Sequence, residues 1–253
     1  MLWGGAKMPY IEKKTIAGDY IRVEKHYSSR YGSKGKCIRG SNFSKTDENT
    51  KKRNLRYAKM KANDIFNKNF KKGDMLLVLT FAPDKRPSSA QELKTIWKKY
   101  ARKIRNIYKK ANVLLKWQSG INPSKKNPHI HLALTSIDVK LLPEWEYGGV
   151  HISVVDGRDY HTFGSYTVEQ STEQEKKLQF DDETAMWFSH SRNCEMPKVK
   201  VKVIYNDHWA SEPKAPKGFY IIKDSLENWE DECDGYKHQA YILCAITKLK
   251  SRR

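Results

Sequence analysis

The chain has 253 residues, of which 38% are hydrophobic, 11% aromatic and 30% charged, with a formal net charge of +19. That length is enough to bury a sizeable core, and with that aromatic content the chain is expected to fold rather than to carry long disorder. No apolar stretch reaches spanning length, and MLWGGAKMPYIEKK at the N-terminus lacks the apolar core and small-residue cleavage site of a signal peptide. A cytoplasmic protein without a membrane partner is therefore expected. The charge is uneven, with 17 Lys/Arg against 6 Asp/Glu in residues 1–70, which points to a polyanion, and to nucleic acid ahead of an anionic membrane. Cys37, Cys194, Cys233 and Cys244 form no Cys-x-x-Cys pair, so neither a zinc ribbon nor a disulfide framework is expected.

In chain order, YSSRYGSKGKCIRGSN (27–42) reads as a basic, Gly/Ser-rich loop or arm. Leu55, Ala58, Ala62, Ile65 and Phe66 then recur at helical spacing, with Lys51, Lys52, Arg53, Lys59 and Lys61 mostly off that stripe. MLLVLTFAP (75–83) reads as a buried strand closed by a proline. Ser89 and Glu92 form a capping box for a long helix whose apolar face is Leu93, Ile96, Trp97, Tyr100, Ile104, Ile107 and Tyr108. NVLLKWQSG (112–120) and HIHLALT (129–135) read as the arms of a hairpin around the basic turn INPSKKNP. After a partly helical connection, VHISVVDG reads as a strand and DYHTFGSYTVEQ (159–170) as a helix, and an acidic, Gln-rich stretch follows. VKVKVIY, GFYIIKD and HQAYILCAITKLK supply strand or helix candidates in the tail. Strands interleaved with helices and hairpins predict an α+β fold around an antiparallel sheet.

The chemistry concentrates in NPHIHLAL. On a strand, successive side chains face opposite ways, so His129 and His131 share one face and can hold one divalent ion between them. Alone, the pattern describes equally well a strand with two polar residues turned to solvent. A basic turn precedes it, and downstream Tyr166 sits among the small residues Gly164 and Ser165, with its hydroxyl reachable. Metal, tyrosine and cationic surface together suit phosphodiester chemistry: the ion draws charge from phosphorus while the phenol attacks in line. A phenol is mostly protonated at neutral pH, so a metal charge or a base must assist it. Tyr147 and Tyr160 compete for the nucleophile's role, and His151 reads as an ordinary half-buried histidine.

PHIHLAL resembles the His-hydrophobic-His motif of HUH endonucleases, and the chain is similar to rolling-circle replication initiators of bacterial plasmids and phages. NFKKGDMLLVLTF resembles that family's first motif, GGVHISVVD after Trp145 its next strand, FGSYTVEQ its tyrosine helix, and WFSHSRNCEMPKVK its Ser-Arg-Asn segment. The likeness runs over roughly residues 20–205. It implies a central antiparallel sheet of about five strands, of the HUH/ferredoxin-like kind, with helices mainly on one face. It divides the chain into a basic N-terminal region (1–70), an endonuclease core (71–205) and a C-terminal extension packing on that core (206–253).

The resemblance implies His129 and His131 as ligands for Mg2+ or Mn2+ and Tyr166 as the nucleophile that nicks and joins single-stranded origin DNA through a 5′-phosphotyrosine. It further implies a host helicase and polymerase as partners, and the chain carries no Walker-type phosphate loop of its own. For a third ligand, the strand beside the histidines offers Gln118 where the family commonly has Glu, with Glu144 or Glu146 as substitutes. Glu169 stands where members often carry a lysine, and Gln170 leaves no second tyrosine one turn on. Lys51, Lys52, Arg53, Arg56, Lys125, Lys126, Arg192 and Lys198 are the expected DNA contacts. Relaxases and transposases share the same signature, and a non-catalytic nucleic-acid-binding module with structural histidines is the reading from another class.

Overall fold

The structure is a computed structural model describing residues 10–28, 31, 48–124, 126–156, 162–172, 188–205, 208–230 and 235–246; at 48–52 and 169–172 it describes the backbone alone. In chain order these residues form β1 (Tyr10–Ala17), β2 (Tyr20–Tyr27), α1 (Glu48–Asn69), β3 (Met75–Thr80), α2 (Ala90–Lys110), β4 (Trp117–Asn122) and β5 (His129–Leu134). There follow β6 (Val150–Val154), α3 (Phe163–Thr172), β7 (Phe188–His190), β8 (Lys198–Ile204), β9 (Phe219–Ile221), β10 (Glu227–Glu230) and β11 (Lys237–Ala245). They fall into two compact units, one of residues 47–196 and one of 1–46 with 197–253.

The unit 47–196 is built on an antiparallel sheet of five strands in the order β6-β3-β5-β4-β7. The α+β class with antiparallel pairing is as the sequence predicts, but the described residues form two antiparallel sheets where one central sheet was expected. Side chains alternate across it. Met75, Leu77 and Leu79 of β3 and Ile130, Leu132 and Leu134 of β5 face α2, whose Leu93, Ile96, Trp97, Tyr100, Ile104 and Tyr108 complete the larger core. Burying each such side chain contributes roughly 1.5–3 kcal/mol, so this face anchors the sheet. The other face carries Leu76 and Ala133, which pack with Phe66 and Phe70 of α1 and with Phe163 of α3. Helices therefore cover both faces, which corrects the expectation of helices mainly on one. The strands themselves explain it: β3 carries Leu76 and Val78 on this second face as well as Met75, Leu77 and Leu79 on the first, and both apolar surfaces need a cover.

The capping residues of α2 are as read, with only the reciprocal bond to Glu92 displaced by one residue. Ser89 Oγ accepts from the Glu92 backbone N–H at 3.2 Å, while the Glu92 carboxylate accepts from Ser88 N and Oγ, each at 2.7 Å. β4 begins at Trp117, later than the expected 112; Asn112, with φ of 54°, and Val113, whose N–H donates back to the Tyr108 carbonyl, close the end of α2 instead.

The second unit holds a six-stranded antiparallel sheet along β10-β11-β2-β1-β8, with β9 also on β11. Its first hairpin, β1–β2, is absent from the sequence reading. Ala17-Gly18-Asp19-Tyr20 is a two-residue turn with Gly18 at φ 62°, and its Gly-Asp signal lies between strands charged on both faces. The boundaries also differ from 1–70, 71–205 and 206–253: α1 packs with α3 in the unit 47–196, and β8 pairs with β1 in the other. Pairings so distant in sequence leave no local mark. Cys194 and Cys244 are buried free thiols, and Cys37 and Cys233 lie outside the described residues. Among the described residues no helix is long and apolar enough to cross a membrane.

Candidate active site

Strand register assembles the site. β5 lies between β3 and β4, with His131 opposite Val78 on one side and Gly120 on the other, and His129 opposite Thr80 and Asn122. Directly opposed residues share a face, so both histidines lie on the face that carries α1 and α3, away from α2. Their rings meet edge to face with centroids 4.9 Å apart. His131 is 5% exposed.

The tyrosine reaches this face through two glycines. A Cβ on Gly120 would stand 2.5 Å from Thr167 Cβ, and one on Gly164 would stand 2.3 Å from the Ala62 carbonyl carbon. Neither position admits a side chain, so α3 lies directly against β4 through Gly120 and against α1 through Gly164. Asn63 of α1 further ties the first turn of α3 by accepting from the Ser165 backbone N–H. The approach sets the Tyr166 ring edge to face with His131, centroids 5.0 Å apart, while Tyr166 stays 44% exposed. Gly164 is thus a packing residue, a role that the sequence reading, which saw only small size, does not give it.

Polar atoms in the site are left over in a particular way. Gln118, fully buried on β4, donates from Nε2 to the Ala62 carbonyl at 3.1 Å, and its Oε1 is buried without a hydrogen-bond partner. The carbonyl accepts only, so it fixes which end of the amide faces inward. His131 Nε2 is likewise buried and unpartnered. Each such atom costs about 1–3 kcal/mol unless something occupies it. Burial, and then the neighbouring His129, push the His131 pKa down to about 4, so its ring is neutral at ordinary pH and keeps a lone pair. His129 Nδ1 lies 2.9 Å from the Asn127 carbonyl and donates to it, which leaves Nε2 as the ring nitrogen that could meet a cation. Two imidazoles and an amide oxygen are a donor set that fits a divalent cation.

The other candidates distribute more widely. Glu144 and Glu146 are corrected as ligands: both line a groove on the α2 side with Lys99 and Lys103, and Glu146 is paired with Lys103. Among the described residues no cluster of three or more His, Cys, Asp and Glu forms, so no carboxylate joins the two histidines. His151 is exposed and shares their face from β6, separated by β3 and so by roughly 9.6 Å. Tyr147 packs against Phe81 and Trp145 in the α2-side core, away from the histidines, and Tyr160 lies outside the described residues.

Of the expected DNA contacts, Arg53 and Arg56 are exposed on α1, with Arg53 roughly 13 Å along the helix from Ala62. Tyr57, 58% exposed beside them, is an aromatic that the helical pattern alone gives no reason to single out. Lys126 is exposed in the turn before β5. Arg192 lines a separate groove of about 640 Å³ with Arg105 and Lys109, while Asn193 ties its turn by donating to the Leu115 carbonyl at 2.9 Å. Lys198 lies on β8 in the other unit, and Lys125 and the side chains of Lys51 and Lys52 lie outside the described residues. Asp74, of the Gly-Asp pair, uses its carboxylate structurally, accepting from Lys71 N at 2.8 Å and Ser136 N at 2.9 Å.

Comparison with known proteins adds no identity: no family model, no curated protein and no solved structure matches the chain.

Proposed function

We propose that this protein nicks and joins single-stranded DNA through a covalent phosphotyrosine, with Tyr166 as nucleophile and a Mg2+ or Mn2+ ion held by His129, His131 and Gln118, and that it serves to initiate rolling-circle replication. The observation that carries the reading is the pair of buried, unpartnered polar atoms, Gln118 Oε1 and His131 Nε2, on the sheet face against which the Tyr166 ring rests. A cation bound there would polarise a non-bridging phosphate oxygen and neutralise charge in the transition state.

The chain's own residues do the rest. The Tyr166 oxygen attacks phosphorus and gives up its proton. The bond from phosphorus to the 3′ oxygen breaks, that oxygen takes up a proton, and the 5′ phosphate stays on the tyrosine. Attack by a 3′ hydroxyl on the phosphotyrosine reverses the step and rejoins a strand, so no outside energy source is needed. The His131 ring, held neutral by burial, needs no proton change, and the Gly120 and Gly164 contacts hold the phenol at the face. The exposed Arg53 and Arg56 on α1 supply cations along which a strand can run.

The test is a denaturing gel of protein incubated with 3′-labelled single-stranded DNA and Mn2+, the label that stays on the fragment joined to the tyrosine. A covalent adduct should form with the parent chain, vanish with Tyr166→Phe and fall by at least about a hundredfold with His131→Ala, the scale of losing a group that acts in the transition state. An adduct of equal yield in Tyr166→Phe would sink the nucleophile assignment.

A further inference from the structure

The sheet of β1, β2 and β8–β11 carries a chemistry that the histidine site does not use. Register lines up Gln239, Lys25, Glu12 and Lys202 across β11, β2, β1 and β8 on one face. Glu12 is only 8% exposed, and its carboxylate pairs with Lys14 and Lys202 at 3.2 Å each. Lys25 Nζ donates to Gln239 Oε1 at 2.9 Å and stands 5.6 Å from the ring centre of Trp209 and 5.9 Å from that of Tyr241. One carboxylate thus faces three ammonium groups, and positive charge is in surplus. Burial lowers the pKa of Lys25 while Glu12 raises it; a bound anion would act in the same sense as Glu12.

Of these groups Glu12, Lys25 and Lys202 line a cavity of about 360 Å³ whose wall includes Trp209 and Tyr205. Trp209 is half-buried and meets Tyr10 edge to face at 5.4 Å, and Tyr10 in turn meets Tyr27 and Tyr236, which stack at 3.7 Å. The indole is therefore fixed, whereas Tyr205 is 94% exposed at the rim. The cations continue beyond the cavity. Lys198, Lys200 and Lys202 occupy alternate positions of the edge strand β8, so they share this face at intervals of roughly 6.7 Å, and all are exposed. A fixed aromatic wall beside surplus positive charge suits a flat ring carrying an anion, and a row of lysines suits a repeating anion.

We propose that this face binds a single strand of DNA, with one base against Trp209 and Tyr205 in the cavity and the adjoining phosphates on Lys202, Lys200 and Lys198. The choice of DNA rests on the nuclease reading above. Duplex fits poorly, since its bases are stacked on one another and cannot reach the indole.

Binding is measured by fluorescence anisotropy of a labelled mixed-sequence oligodeoxynucleotide on the full chain carrying Tyr166→Phe, in EDTA, so that neither covalent capture nor a metal contributes. Trp209→Ala should weaken it about tenfold, the scale of one lost stacked base, and Trp209→Phe should retain most of it. Lys202→Ala should also reduce the slope of log affinity against log salt by about 0.7. Lys214→Ala, exposed and outside the cavity, should match the parent. A bromodeoxyuridine strand should photo-crosslink to Trp209 or Tyr205. Unchanged affinity in Trp209→Ala, crosslinks confined to 47–196, or equal competition by duplex overturns the proposal. The two readings fail separately: no covalent adduct with Tyr166 intact removes the nuclease reading and leaves a Trp209-dependent site standing. A full adduct with Trp209-independent binding does the reverse.

Discussion

Gln118 illustrates how a single residue type answers two demands. Its amide donates to the Ala62 carbonyl and keeps an oxygen over, whereas an ionised glutamate would set its carboxylate against that carbonyl. The amide at this position therefore follows from how closely α1 packs. Calorimetry of Mn2+ binding should show Gln118→Ala weakened by at least about tenfold, as even an outer-sphere partner is worth that much. His131 sets a pH dependence. Its folded pKa of about 4 lies below the ordinary 6.5, so between those values the unfolded chain binds the extra proton. Stability of the metal-free protein is then complete above pH 6.5 and declines as the pH falls towards 4, by about 3 kcal/mol for this group, at 1.36 kcal/mol per unit. Urea denaturation at stepped pH should lose that part of its slope in His131→Gln; an unchanged profile would reassign the effect.

At the level of elements, the site depends on how closely α3 can lie against β4 and α1. Gly120 is the register partner of His131, so the missing side chain on one strand makes room for the helix that brings Tyr166 to the other. Gly120→Ala would drive a methyl to 2.5 Å from Thr167 Cβ, and overpacking of that kind costs about 1–3 kcal/mol. Chemical denaturation should register that loss, and adduct formation should fall further than stability does, because the phenol moves with α3. Gly149→Ala is the comparison, since its Cβ would meet only Thr80 Oγ1 at 3.1 Å. If both substitutions behave alike, the close approach of α3 is not what positions the tyrosine.

For the whole molecule, every residue of the candidate metal and tyrosine site lies within 47–196, with both faces of its sheet covered by helices of that same unit. A fragment of those residues should bind Mn2+ with the affinity of the full chain, compared by calorimetry. Its affinity for single-stranded DNA should be lower, because the lysine row and Trp209 belong to the other unit. Loss of metal binding in a fragment whose circular dichroism shows it folded would mean that the site needs the remaining strands.

Some of this was legible beforehand because it rests on local periodicity. A period of two placed His129 and His131 on one face, a period of 3.6 gave α2 its apolar stripe, and the basic turn between two apolar runs gave the β4–β5 hairpin. Tyr166 was readable as a candidate from its neighbours. The hairpin at Gly18-Asp19 was also written in the sequence, hidden by strands whose charged residues satisfy one another across the ladder, as Lys13 and Glu24 do at 3.4 Å. The remainder was decided by tertiary structure alone. That His131 neighbours Gly120 is a matter of register, that Gln118 Oε1 is left over depends on a carbonyl from α1, and that Glu12 meets Lys202 depends on β8 returning to β1. Each is a contact between residues far apart in the chain, and no pattern within a strand or helix encodes its partner.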